Sequence, residues 1–354
     1  MYRNISCLPK KRFILIFTGI IFTLLVAVTT SFGAPHSKAR KEIRLVMATY
    51  TPINYDPYLF PGQKLLVNMF NERGKGIVNV DMYWGGTLLS SKQLLPGLQA
   101  GTADLIILPG AYLLGSFPIV GIQNLPVWKT LMGSFEANKT GTPLAKMRNE
   151  TLKKKIIMQL ASTGIIPEFL WTKNKPVQTP EDIKGLRIRA PGKIEAKVIH
   201  ALGGVPVTMP SAEVPQALQR GIIDGVLMNL WTARSRNVEE YCRYVLIQPL
   251  SGISTPVFVL LNKWNNWPDD VRNVLREVTI EWENRMIGPL GAQMTDKQMS
   301  DELIPYYEKK GVKAMYPTEE NIRAFEQATK PVVDWWVKKV GKEIGRKMLQ
   351  YTNK

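Results

Sequence analysis

Arg187 and Arg189 stand two residues apart in the segment Gly185-Leu186-Arg187-Ile188-Arg189-Ala190-Pro191. Alternating apolar and basic positions predict a strand, and residues i and i+2 of a strand share one face. Both guanidinium groups therefore project away from the side that holds Leu186 and Ile188. An arginine at the C-terminal end of such a strand lies on the edge where open α/β sheets bind ligands. Its planar fork of N–H donors can hold a carboxylate through two parallel bonds. Arg189 has that terminal position and is the candidate anion anchor. Arg187 is expected at the surface of an edge strand.

Catalytic chemistry has little to stand on. The 354-residue chain contains two histidines, His36 and His200, and two cysteines, Cys7 and Cys242. None of them forms a nucleophile–base motif, and Gly-x-Ser-x-Gly, a phosphate-binding loop and His-x-x-x-His are all missing. Carboxylates are numerous, but an acid pair of the glycosidase kind cannot be assembled from sequence alone. No metal and no cofactor is expected.

The elements that must position Arg189 follow from patterning. Leu-Gln-x-Gly-x-x-Asp occurs at Leu98–Asp104 and again at Leu218–Asp224, 120 positions later. In each copy a helix tail meets a glycine, which suits the left-handed turn past a helix, and an acid leads into a short apolar strand. Two such units, about one small domain apart, predict two α/β lobes with a ligand cleft between them. Strands are expected at 43–48, 78–82, 155–161, 186–189, 205–208 and 224–228. Ser90 and Gln93 have capping-box spacing, and Pro96 is expected to kink the helix that follows. Beyond 262 the chain turns helical, over 269 to about 308 with a break near Gly288-Pro289, and over 318–341. The expected organisation is a first lobe at 43–165 with a return segment at about 255–295, and a second lobe at 166–254 with C-terminal helices at about 296–354.

The N-terminus has the layout of a secretory signal peptide over residues 1–33. Arg3, Lys10, Lys11 and Arg12 precede sixteen mostly apolar residues, Phe13 to Val28, and small residues follow at Ser31, Gly33 and Ala34. An uncleaved N-terminal anchor is the alternative. Residues 34–42 form a basic linker. Removal of the signal takes Cys7, leaves Cys242 without a disulfide partner, and lowers the formal net charge from +17 to +13. Export to the periplasm argues against nucleic acid as a partner. The scattered lysines and arginines form a solvated surface that attracts anions in general.

Several of these segments together resemble a known family. Gly185–Pro191, Leu202-Gly203-Gly204-Val205-Pro206-Val207, Glu213 and Ala217–Gly225 resemble the core signature of DctP-type solute-binding proteins, and the similarity extends to Leu98–Asp104 and Asn262-Lys263-Trp264. Those are the extracytoplasmic receptors of tripartite ATP-independent periplasmic (TRAP) transporters. The resemblance implies a two-lobed periplasmic-binding-protein-like α/β fold with hinge segments and a long connecting helix. It implies a monomeric, non-catalytic receptor that closes on a small organic anion and delivers it to a small and a large membrane subunit. A same-fold receptor that feeds a sensor, and a periplasmic hydrolase, stay open as alternatives.

The family pattern assigns the ligand carboxylate to Arg189 and adds Met228, Asn229 and Trp231 after the Asp-Gly step, and Thr49 and Tyr50 after the first strand. Trp231 either stacks on the ligand or packs in the core. Many members carry a second arginine in the segment matching Thr163–Phe169, where this chain has Ile165, Ile166, Pro167 and Glu168. That departure predicts a monocarboxylate ligand. Glu168 either faces the cleft, where it would accept a cation or hydroxyl, or is a solvated loop acid. Arg234 and Lys193 are the other cations that could reach the cleft from a loop.

Overall fold

The computed structural model describes residues 41–53, 61–128, 131–162, 164–287 and 297–352. The expected signal segment, all but the end of the linker, and the expected break at Gly288-Pro289 lie outside the described residues.

In chain order the strands are β1 (Ile43–Thr49), β2 (Val78–Tyr83), β3 (Leu105–Ile107), β4 (Ile157–Ala161), β5 (Ile166–Thr172), β6 (Arg187–Ala190), β7 (Val205–Thr208), β8 (Gly225–Met228), β9 (Tyr244–Ile253), β10 (Val257–Leu260) and β11 (Lys313–Met315). They form two sheets, β2-β1-β3-β10-β4 and β11-β9-β5-β8-β6-β7. Each sheet has parallel strands joined by helical crossovers, completed by antiparallel strands that the chain supplies when it passes between sheets. It leaves the first sheet between Ala161 and Ile166 and returns between Ile253 and Val257. Those two crossovers join the lobes, and after β10 the chain passes once more to supply β11 to the second sheet.

The repeated Gly-x-x-Asp phrase builds the same device in each lobe. Gly101 (φ 81°) follows the helix Leu94–Ala100, and Gly221 (φ 66°) follows the helix Val214–Gln219. Asp104 accepts the Val46 N–H at 2.8 Å and donates its own N–H to Val46 O at 2.7 Å. Asp224 does the same with Arg187, at 2.9 and 2.7 Å. Each acid thus staples the start of its strand to the parallel neighbour, β3 to β1 and β8 to β6. A cation completes each staple, Lys263 Nζ at 2.5 Å from Asp104 and Arg187 at 2.7 Å from Asp224. Arg187 is exposed, as its place on the strand predicts, so its charge pair adds little and the backbone bonds carry the staple.

Pro96 does not kink its helix. The helix starts at Leu94, so the proline occupies the first turn, where its missing N–H has no intrahelical partner to lose. Farther on, Thr318 accepts the Asn321 N–H and starts the helix Glu319–Val340. Its stripe of Phe325, Thr329, Val332 and Trp336 is buried at helical spacing. That stripe packs on the helix Lys193–Ala201 of the second lobe and on the turn Pro118–Gln123 of the first, where Trp336 Nε1 donates to Pro118 O at 2.9 Å. A separate helix, Asp269–Ile287, covers the first sheet beside the helix Pro61–Arg73.

Candidate functional site

A cleft opens where the strand ends of both sheets meet the crossovers. Tyr50, Thr51 and Pro109 line it from the first lobe, and Ile166, Ser211, Asn229, Thr232 and Arg236 from the second. Ile253, Ser254 and Thr255 of the returning crossover close its back.

Arg189 lies at the end of β6 and is only 2% exposed. Its Nε donates to Met209 O at 3.0 Å and its Nη1 to Leu227 O at 3.0 Å. Nη2 donates to the Tyr112 hydroxyl at 3.4 Å. No carboxylate among the described residues comes within ion-pairing distance of this buried guanidinium. Three of its five N–H groups are spent on these bonds, which leaves two uncommitted among the described residues. Two acids stand in its field without touching it.

Glu168 is one of them, and it is not a loop acid. Ile166-Pro167-Glu168 pairs with Ile253-Gly252-Ser251 as strand, which buries Glu168 to 1% exposure, with its Oε2 accepting from Ser251 Oγ at 2.8 Å. Ile166 and Glu168 share a face of β5, so the acid stands one rung in from the cleft wall. Glu195, fully buried on the helix Lys193–Ala201, accepts from Asn124 Nδ2 at 2.8 Å. Burial pushes both carboxyls well above the ordinary range, and for Glu195 the charge of Glu168 adds to the effect. Arg189 pulls both the other way. The deep end therefore holds one full positive charge and a pair of acids that shares at least one proton at neutral pH.

The short helix Leu230–Ser235 settles the residues that follow β8. Asn229 caps it, its Oδ1 accepting the Thr232 N–H at 2.8 Å. Positions 229, 232 and 236 lie on one helical face, and that face lines the cleft. Trp231 points the other way, fully buried, with its Nε1 bonded to Gln298 at 2.8 Å. Met228 is also core, 1% exposed, and its carbonyl accepts from Trp171. Neither side chain lines the cleft; both back its wall. Thr49 is buried behind Tyr50, its hydroxyl donating to Ile107 O and accepting from Thr51 N.

Of the expected residues, then, Tyr50 and Asn229 line the cleft, while Arg189 and Glu168 are buried and outside its lining. The cation missed by sequence reading is Arg236. Arg234 instead lays its guanidinium over the Tyr306 ring at 4.5 Å, and Lys193 is exposed on its helix. Two steps along a helix reverse its face, so helical phase would have separated Arg236 from Arg234. Among the described residues no cluster of His, Cys, Asp or Glu could hold a metal ion, and no helix is long and apolar enough to cross a membrane.

Comparison with known proteins agrees with this architecture. Residues 57–339 match the family model of bacterial extracellular solute-binding protein, family 7 (DctP). The C4-dicarboxylate-binding periplasmic protein DctP of Rhodobacter capsulatus is 26% identical over 282 residues, 76% of this chain and 79% of its own length. A monocarboxylate 2-oxoacid-binding periplasmic protein of Nostoc is 23% identical, over 76% of this chain and 74% of its own. Among solved structures, the fold is similar to DctP7 of Bordetella pertussis, which binds pyroglutamic acid, with a TM-score of 0.75, 22% identity and coverage of 88% of this chain and 99% of that one.

Proposed function

The chain belongs to family 7 of the bacterial extracellular solute-binding proteins, and on that premise we propose that it is the periplasmic receptor of a TRAP transporter for a small organic acid. The observation that carries the reading is the state of Arg189, a buried, oriented guanidinium with two uncommitted N–H groups and no anionic partner among the described residues. A buried cation is stable only if a ligand or protein anion answers it, and a carboxylate fits its fork. The receptor acts by binding and release, as a monomer without a cofactor, and hands the closed complex to the membrane subunits.

Relatives at similar identity are named for dicarboxylates and for monocarboxylates, so the preference must come from this cleft. Glu168 and Glu195 favour a single carboxylate at the deep end, because a second one beside them would be buried without a cation. A thermal-shift screen of organic acids tests the reading, since a ligand that binds only the folded state raises the melting temperature. Monocarboxylates are expected to give the largest shifts. A panel in which amines or neutral sugars shift the transition and no organic acid does would sink the assignment.

A further inference from the structure

We infer that Arg236 and Ser254 form a second ligand subsite in the cleft, one that takes an acceptor oxygen of the organic acid other than the carboxylate on Arg189. The inference rests on the receptor reading above and names the ligand more closely: an acid that also bears a keto, hydroxyl or lactam oxygen.

Arg236 and Ser254 line the same cleft, one contributed by the second lobe and one by the returning crossover. Arg236 Nε is buried and has no hydrogen-bond partner, and Ser254 Oγ, in a residue only 1% exposed, has none either. Surface arginines keep Nε in water, and buried hydroxyls normally find a partner, so two orphans on one wall are unusual. Arg236 is held in place by its own backbone, whose N–H donates to Thr232 O at 3.0 Å as the helix ends. No carboxylate among the described residues pairs with it.

The chemistry of the wall selects the ligand group. A guanidinium only donates, and a serine hydroxyl can donate as well. Asn229, which also lines the cleft, adds a third donor, because its cap bond commits Oδ1 to the Thr232 N–H and leaves its amide N–H₂ without a partner among the described residues. A donor-rich wall leaves a plain alkyl chain with unpaired polar groups facing it, which is costly, whereas an oxygen acceptor satisfies them. Arg189 already takes the carboxylate, so the second oxygen belongs to another part of the molecule.

Calorimetry with pentanoate, 4-oxopentanoate, 2-hydroxypentanoate and pentanedioate on five proteins decides the matter: wild type, Arg236→Gln, Arg236→Lys, Ser254→Ala and Arg189→Ala. The keto or hydroxy acid is expected to bind wild type about tenfold or more tighter than pentanoate. Arg236→Gln and Ser254→Ala should erase most of that ratio. Arg236→Lys should restore little, because it keeps the charge and lacks Nε. A ratio unaltered in a folded Arg236→Gln protein overturns the subsite. Pentanedioate binding tightest, and losing that advantage in Arg236→Gln, upholds the subsite and removes the single-carboxylate limit. Equal binding of every acid by Arg189→Ala overturns the proposed anchor instead. No binding of any acid by wild type overturns both.

Discussion

The phenol of Tyr112 and the guanidinium of Arg189 meet across the two lobes, hydroxyl oxygen to Nη2 at 3.4 Å. Tyr112 belongs to the short helix Gly110–Leu113 that follows β3 of the first sheet, and Arg189 to β6 of the second. The same oxygen accepts the Ser211 N–H at 3.1 Å, and the Tyr50 ring stands 5.8 Å from that of Tyr112. One tyrosine thus bridges the lobes at the proposed anion anchor. A ligand carboxylate would make shorter, charged bonds to Arg189, so the phenol becomes its neighbour and the roof of its pocket.

Closure is therefore expected to depend on Tyr112. Small-angle scattering should show a smaller radius of gyration with saturating ligand, because ligand favours the closed arrangement. Tyr112→Phe loses both interlobe hydrogen bonds, to Arg189 and to Ser211, each worth about 1 kcal/mol, and should weaken binding roughly tenfold or more. Superimposable scattering from free and saturated protein would argue against a closing receptor.

Arg189→Ala should cost about 2–5 kcal/mol of ligand affinity, the usual penalty for truncating one partner of a buried charge pair. Arg189→Lys should recover little, since an ammonium cannot reproduce the bonds to Met209 O and Leu227 O together with a carboxylate. Calorimetry on the folded variants reads both values, and undiminished affinity in the alanine variant refutes the anchor.

The buried acids make stability fall with alkaline pH. Glu195 has an ordinary value of 4.5 and is pushed to about 8 by burial and by Glu168. The folded state then holds a proton that the unfolded chain releases, so its contribution is intact below the ordinary value and is lost as pH rises through the folded one. Glu195→Gln keeps an acceptor for Asn124 and removes the titration. Melting curves should show the variant gaining several degrees on wild type at about pH 9 and nothing at about pH 4. A difference that stays constant with pH would show that Glu195 is not protonated by its surroundings.

Cys242 should be inert in the native protein. It is fully buried, and burial pushes its thiol up to about 12, so almost no thiolate forms at neutral pH. Peptide mapping after brief alkylation should find Cys242 unmodified in native protein and fully modified in denaturant. Rapid native modification would mean that the core around β9 opens readily.

Much of this architecture was legible in the chain itself. The Gly-x-x-Asp phrases marked equivalent units because their bonding is local, within one helix–strand connection and its parallel neighbour. Arg189 was legible because alternation and strand end together set its direction. Three assignments needed contacts that sequence order hides. Glu168 became buried through Ser251, 83 positions away, and Trp231 became core through Gln298, 67 positions away. Arg236 was missed because the residues after β8 were taken in order along the chain, when a cap at Asn229 had already started a helix.

That helix divides its labour by side. Asn229, Thr232 and Arg236 line the cleft, whereas Leu230 and Trp231 turn into the hydrophobic interior. Exchanges on the first set alter what is bound, and exchanges on the second alter whether the lobe holds together. A lineage can thus acquire a new nutrient by a few point changes along one short stretch of chain, while the scaffold that meets the membrane partner stays as it was.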